Sequence, residues 1–143
     1  MKGGAIELYT SHWRYPLLEH VDAQIVSISR GQPRRRLPFR YRKLMSLAPG
    51  DAAWNAPDRE SFEKCYRTQL EELGAETILA NLERVSGSKP VVVLCWERLD
   101  EPGEWCHRTM LARFLEEQAN IEVPELEPGM ISTRPDTPEA RLF

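Results

Sequence analysis

"PVVVLCW", residues 90–96, is an unbroken run of β-branched and other apolar residues. A strand apolar on both faces belongs at the centre of a parallel sheet covered on each side by helices. Parallel neighbours need crossover connections, so strands and helices should alternate along the rest of the chain. They do. "AIELYTS" (5–11) and "AQIVSIS" (23–29) read as short strands, and "HWRYPLLEHVD" between them sets Leu17, Leu18 and Val21 on one face of a short helix after Pro16. "PDRESFEKCYRTQLEELG" carries the clearest helix pattern: Asp58 as N-cap, Glu60 in the first turn, and Gly74 just past the end. Phe62, Cys65, Tyr66, Leu70 and Leu73 share its apolar face, which makes Cys65 a core residue. A shorter helix with Ile78, Leu79, Leu82 and Val85 runs up to "SGSKP". After the central strand, "CHRTMLARFLEEQAN" forms a further helix, and "IEVPEL" (121–126) reads as a closing strand.

The expected architecture is α/β: a single three-layer domain over residues 1–126, with a mainly parallel sheet of about four strands flanked by helices. Residues 31–57 lack periodicity and form a basic irregular loop, of the kind that is functional or flexible inside a compact domain. Residues 127–143 form a Pro-rich C-terminal tail. A chain of 143 residues is long enough for one real core. No apolar run approaches bilayer length, and the start lacks a signal peptide's apolar segment, so a cytoplasmic protein without membrane contact is expected. Three cysteines, at 65, 95 and 106, make no disulfide framework and agree with a reducing compartment.

The net charge of −3 hides an asymmetry. Residues 30–43, "RGQPRRRLPFRYRK", hold seven Lys or Arg and no acid, whereas nineteen of the 22 acids lie from Asp51 onward. A local basic surface on an acidic chain points to an anionic ligand or partner. Arg34, Arg35, Arg36 and Arg40 interleave with Phe39 and Tyr41, the mixture that grips a phosphate backbone and stacks on bases. A solvated loop is the default for such a run, and no recognised nucleic-acid module accompanies it.

Chemistry concentrates between residues 95 and 108. In an open α/β sheet, ligands bind at the carboxyl ends of strands, beside the N-termini of the following helices. Cys95, Trp96 and Glu97 end the central strand, and Cys106, His107 and Arg108 open the next helix, so both halves should face one crevice. A helix N-terminus favours anions and stabilises a thiolate. Cys106 is therefore the candidate nucleophile, with His107 and Glu97 as proton carriers. Arg108 and Arg30 would clamp an anion, Cys95, Thr10 and Ser11 would contact the ligand, and Trp105 would wall the crevice. Each has a plainer reading. Cys95 fits a buried strand as a small hydrophobe, Thr10 and Ser11 could cap the next helix, and Cys106 could pack under the loop with His107 solvated and Arg108 paired to Glu104 or Glu97. Trp13, Trp54 and Trp105 suit packing roles.

Metal binding is the weaker alternative. Cys95, Cys106, His107 and a distant Glu or His12 could surround zinc, but adjacent Cys-His side chains on a helix should diverge, and no C-x-x-C pair exists. The expected site contains no metal. A Cys95–Cys106 redox disulfide ranks lower still. Neither G-x-G-x-x-G nor G-x-x-x-x-G-K-[ST] occurs, which disfavours dinucleotide dehydrogenases and P-loop enzymes, and no G-x-S-x-G elbow is present.

"VVVLCWE" and "WCHRTMLARFLEE" together resemble the signature of the prokaryotic domain-of-unknown-function family 488, a strand ending in Leu-Cys-x-Glu and a helix opening with Cys-His-Arg. "LYTS" resembles that family's first strand, "IVSISRG" takes the place of its second, and "IEVPEL" fits its closing strand, so the likeness covers most of residues 5–126. The family's second strand commonly ends near Asp-x-Arg; here the segment is Ser27-Ile28-Ser29-Arg30, and Arg30 alone carries over. The resemblance implies a bacterial or phage setting and brings no reaction with it. The functional expectation is an anionic, nucleotide-like or nucleobase ligand in a Cys/His/Arg pocket, with thiol-dependent catalysis on nucleotides or nucleic acid as one form. A non-catalytic binding module, or a phage–host interaction protein working through the 31–57 loop, is the alternative.

Overall fold

The computed structural model describes residues 6–96 and 106–134. Four parallel strands make one sheet in the order β1-β4-β2-β3: β1 (Leu8–His12), β2 (Gln24–Ser27), β3 (Arg42–Lys43) and β4 (Val91–Cys95). The chain lays down β1, skips a place for β2, adds β3 outside it, and returns to insert β4 between β1 and β2. The apolar run is thus interior, as its composition requires. Every residue of β4 is buried. Its side chains alternate: Val91 and Val93 join one core, Val92 and Leu94 the other.

The first core lies under three helices, α2 (Arg59–Leu73), α3 (Ala75–Ser86) and α4 (His107–Ala119), reached through the one-turn α1 (Asp51–Trp54). The Asp58 carboxylate accepts the Ser61 amide at 2.8 Å and so starts α2 where its N-cap pattern predicts. Gly87, at φ 55°, takes the left-handed conformation that ends α3. The second core is covered by a 3-10 turn over Pro16–Glu19, by Leu37, Phe39 and Tyr41, and by Leu126 and Ile131. The segment predicted as a helix after Pro16 is this single tight turn.

Two expectations about strands change. "IEVPEL" is no strand but a single parallel bridge between Glu125 and Thr10, in which Thr10 donates to the Pro124 carbonyl and Leu126 donates to that of Thr10. Pro124 has no N–H to extend the ladder. The fourth strand comes instead from Arg42–Lys43, inside the stretch read as irregular, which also contains a 3-10 turn over Met45–Leu47 and α1. Two residues are too few to show an alternating pattern. Residues 127–134 stay on the domain: Thr133 bridges Val21, and the Asp22 amide donates to the Ser132 carbonyl. No helix among the described residues is long and apolar enough to cross a membrane.

Candidate functional site

Cys95 is the last residue of β4 and, by alternation, points to the helical side with Val91 and Val93. α4 begins beside it. Cys106 is the N-cap of α4, with extended backbone (φ −152°, ψ 149°) and no capping hydrogen bond from its side chain. The extended backbone matters. Two consecutive helical residues diverge by about 100°, following 3.6 residues per turn, but an extended N-cap turns its side chain toward the axis end. Cys106 and His107 therefore converge, and the divergence that argued against a shared ligand does not arise. The structure joins the sulfurs of Cys95 and Cys106 as a disulfide, the pairing ranked lowest from the sequence, across a Cα separation of 7.0 Å; Cys65 is the free thiol. Both sulfurs and a ring nitrogen of His107 lie within 4.8 Å of one another, all in buried residues.

His107 is buried rather than solvated. Its Nε2 lies 2.5 Å from the Ile28 carbonyl, which can only accept, so Nε2 carries the proton. Nδ1 is left with its lone pair, 3.8 Å from Cys106 Sγ. Burial lowers the imidazole pKa to about 4 from its ordinary 6.5, and Arg108 adds a smaller push in the same direction. The ring is held neutral. Tyr66 packs edge-on against it, 5.3 Å between centroids, and donates its hydroxyl to the Leu47 carbonyl at 2.5 Å.

Arg108 is fully buried. A buried guanidinium demands a partner, and the partner is Glu125, in a fork of Nε to Oε1 at 3.0 Å and Nη2 to Oε2 at 2.7 Å. Thr10 donates to the same carboxylate at 2.6 Å, and Arg108 Nη1 donates to Cys95 Sγ at 3.1 Å. Arg108 thus supports the sulfur from behind and is not placed as an anion clamp. Thr10 is bound up in this network, while Ser11, next along β1, points to the opposite face with its buried hydroxyl unpartnered among the described residues. The sequence reading missed Glu125. "IEVPEL" places acids in an otherwise apolar segment, but only the bridge beside β1 brings one of them to Arg108.

In front of the cluster opens a cleft of about 980 Å³, lined by Ser29, Arg30, Trp54, Phe62, Trp96, Cys106 and His107 among others. It lies at the carboxyl ends of β2 and β4, where α/β sheets bind ligands. Trp54 and Trp96 keep 59% and 44% of their surface exposed, so Trp54 walls the cleft instead of packing inside. Arg30 lies over the Trp54 ring at 5.0 Å and donates to the Pro49 carbonyl (3.0 Å) and Asp51 (3.2 Å). Trp96 donates to the Gly31 carbonyl at 3.0 Å. Glu97 and Trp105 lie outside the described residues. Arg34, Arg35, Arg36 and Arg40 do not line this cleft. They are exposed over the second face, where Phe39 and Tyr41 turn inward onto the buried Trp13.

Fold and site together define a small parallel α/β domain with a buried thiol–imidazole cluster at its strand ends. The family described as Domain of unknown function DUF488 matches residues 26–115, and the chain belongs to that family. The match contains both cysteine segments, His107 and Arg108; Thr10 and Glu125 lie outside it. No curated protein and no solved structure matches the chain.

Proposed function

We propose that the strand-end cleft binds an anionic ligand carrying a planar ring, of the nucleotide or nucleobase class, and presents it to Cys106. The observation that carries this reading is the pair of exposed indoles, Trp54 and Trp96, on the cleft that has Cys106 and His107 among its lining residues. Exposed tryptophans in a concave site offer stacking worth about 1–3 kcal/mol per base. Arg30, over Trp54 and paired with Asp51, and Arg59, paired with Glu63, bring guanidinium groups to the cleft that can turn to a phosphate. Cys106, at the N-terminal end of α4, sits where the helix field favours a thiolate and where a reacting atom of the ligand would arrive.

A thiol that must stay reactive suits the reducing cytoplasm, which belongs to the same reading. If the ligand is bound and left unchanged, the protein is a sensor or carrier that uses the same cleft. Titrating the intact protein with nucleoside monophosphates, free nucleobases and inorganic phosphate, followed by tryptophan fluorescence, tests the reading. Quenching by a nucleotide or nucleobase, weakened at least about tenfold by Trp54→Ala (one lost stacking contact), is the expected result. No response to any member of the panel would overturn it.

A further inference from the structure

We propose that Cys95, Cys106 and His107 form a zinc site with three protein ligands and a fourth position open to the cleft. The inference rests on the reading that this cluster is the functional end of the cleft, and it adds what occupies it. Four observations carry it. The three candidate ligand atoms lie within 4.8 Å of one another, the compass of one small cation. His107 donates its Nε2–H to the Ile28 carbonyl, which leaves the Nδ1 lone pair on the side of Cys106; metal-bound histidines are held by the same kind of outer hydrogen bond. Arg108 donates to the Cys95 sulfur at 3.1 Å, an outer contact that suits a thiolate better than a thiol. Finally, the Cα separation of 7.0 Å is wider than the roughly 4.4–6.8 Å usual for a disulfide.

The charges close as well. Zinc displaces the two thiol protons to solvent, and two thiolates with a neutral imidazole cancel its charge of two. The neighbouring Arg108–Glu125 pair cancels separately. A buried site is therefore left with no net charge, the condition for burying ions at modest cost. Two sulfurs and one nitrogen form a soft donor set of the kind found in catalytic zinc sites that hold a water or substrate in the fourth place. Cys106 and His107 line the cleft, so that place faces the proposed ligand.

The test uses the full-length, reduced protein, stripped of metal with a chelator and then titrated with zinc or cobalt. Expected are stoichiometric uptake, release of protons on zinc binding, and a sulfur-to-cobalt charge-transfer band with tetrahedral visible absorption. Cys106→Ser and His107→Ala should weaken zinc by more than the roughly 10–100-fold that loss of an outer-shell partner costs, while Cys65→Ser, on α2, leaves it unchanged. Because the wild-type spectrum and proton count do not depend on variants folding, they decide alone. A reduced chain that takes up neither metal, or binds cobalt without the sulfur band, overturns the proposal. Nucleotide quenching that survives in a chain unable to bind zinc would sink the metal site only; zinc uptake with no ligand response would sink the ligand reading only.

Discussion

The strand-end cleft and the basic loop are both mixtures of aromatic and cationic side chains, and the fold treats them oppositely. In the cleft, Trp54 and Trp96 stay exposed, while His107 in its wall and Arg108 behind it are buried and hydrogen-bonded. In the loop, Phe39 and Tyr41 pack against Trp13, and Arg34, Arg35 and Arg36 remain in solvent. A region built for ligand should spend its polar groups on holding a shape and leave its rings uncovered. A loop that covers a core does the reverse. By that criterion the cleft is the site and the loop is a lid on the second core.

The contrast can be broken by measurement. The largest expected effect is in the ion pair behind the cleft. Glu125→Leu strands the buried Arg108 guanidinium and should cost about 3 kcal/mol in urea unfolding, the low end for breaking a buried pair, since Glu125 keeps some solvent contact. The exposed Arg67–Glu117 pair is as short, 2.7 Å, yet Arg67→Ala should cost under about 1 kcal/mol.

Acidification comes next, measured on metal-free protein. The unfolded chain takes up a proton on His107 near pH 6.5, and the folded chain refuses it until about pH 4. Stability from this group is therefore complete above the first value and lost progressively down to the second, by up to about 3 kcal/mol. The urea midpoint should fall across that window, and His107→Gln should flatten the fall. A midpoint independent of pH there would show the ring to be solvated.

Tyr66→Phe should cost about 1–2 kcal/mol, because the Leu47 carbonyl loses its donor in the interior. Smallest is the loop. Charge reversal at Arg34, Arg35 and Arg36 should leave the urea midpoint within about 0.5 kcal/mol of wild type, as expected for substitutions in open solvent.

How much of this was legible in the residues depends on the physics of each part. Val91–Cys95 announces a central parallel strand because a run apolar on both faces has few other places to go. Asp58 and Gly74 mark the ends of α2 by local chemistry alone. The approach of Cys95 to the start of α4 follows from strand-end geometry. What the residues could not reveal was long-range. Glu125 reaches Arg108 only because residues 124–126 pair beside β1, and Arg42–Lys43 becomes a strand only because β2 offers an edge. The convergence of Cys106 and His107 also escaped the pattern, because it depends on one N-cap residue adopting extended rather than helical angles.

Binding of a nucleoside monophosphate, followed by tryptophan fluorescence at one fixed ionic strength, separates the two regions most directly. Trp54→Ala should weaken it at least about tenfold, while charge reversal of Arg34, Arg35 and Arg36 should leave it unchanged. Affinity lost in the arginine variant and kept in Trp54→Ala would move the site to the second face and contradict the assignment of the cleft.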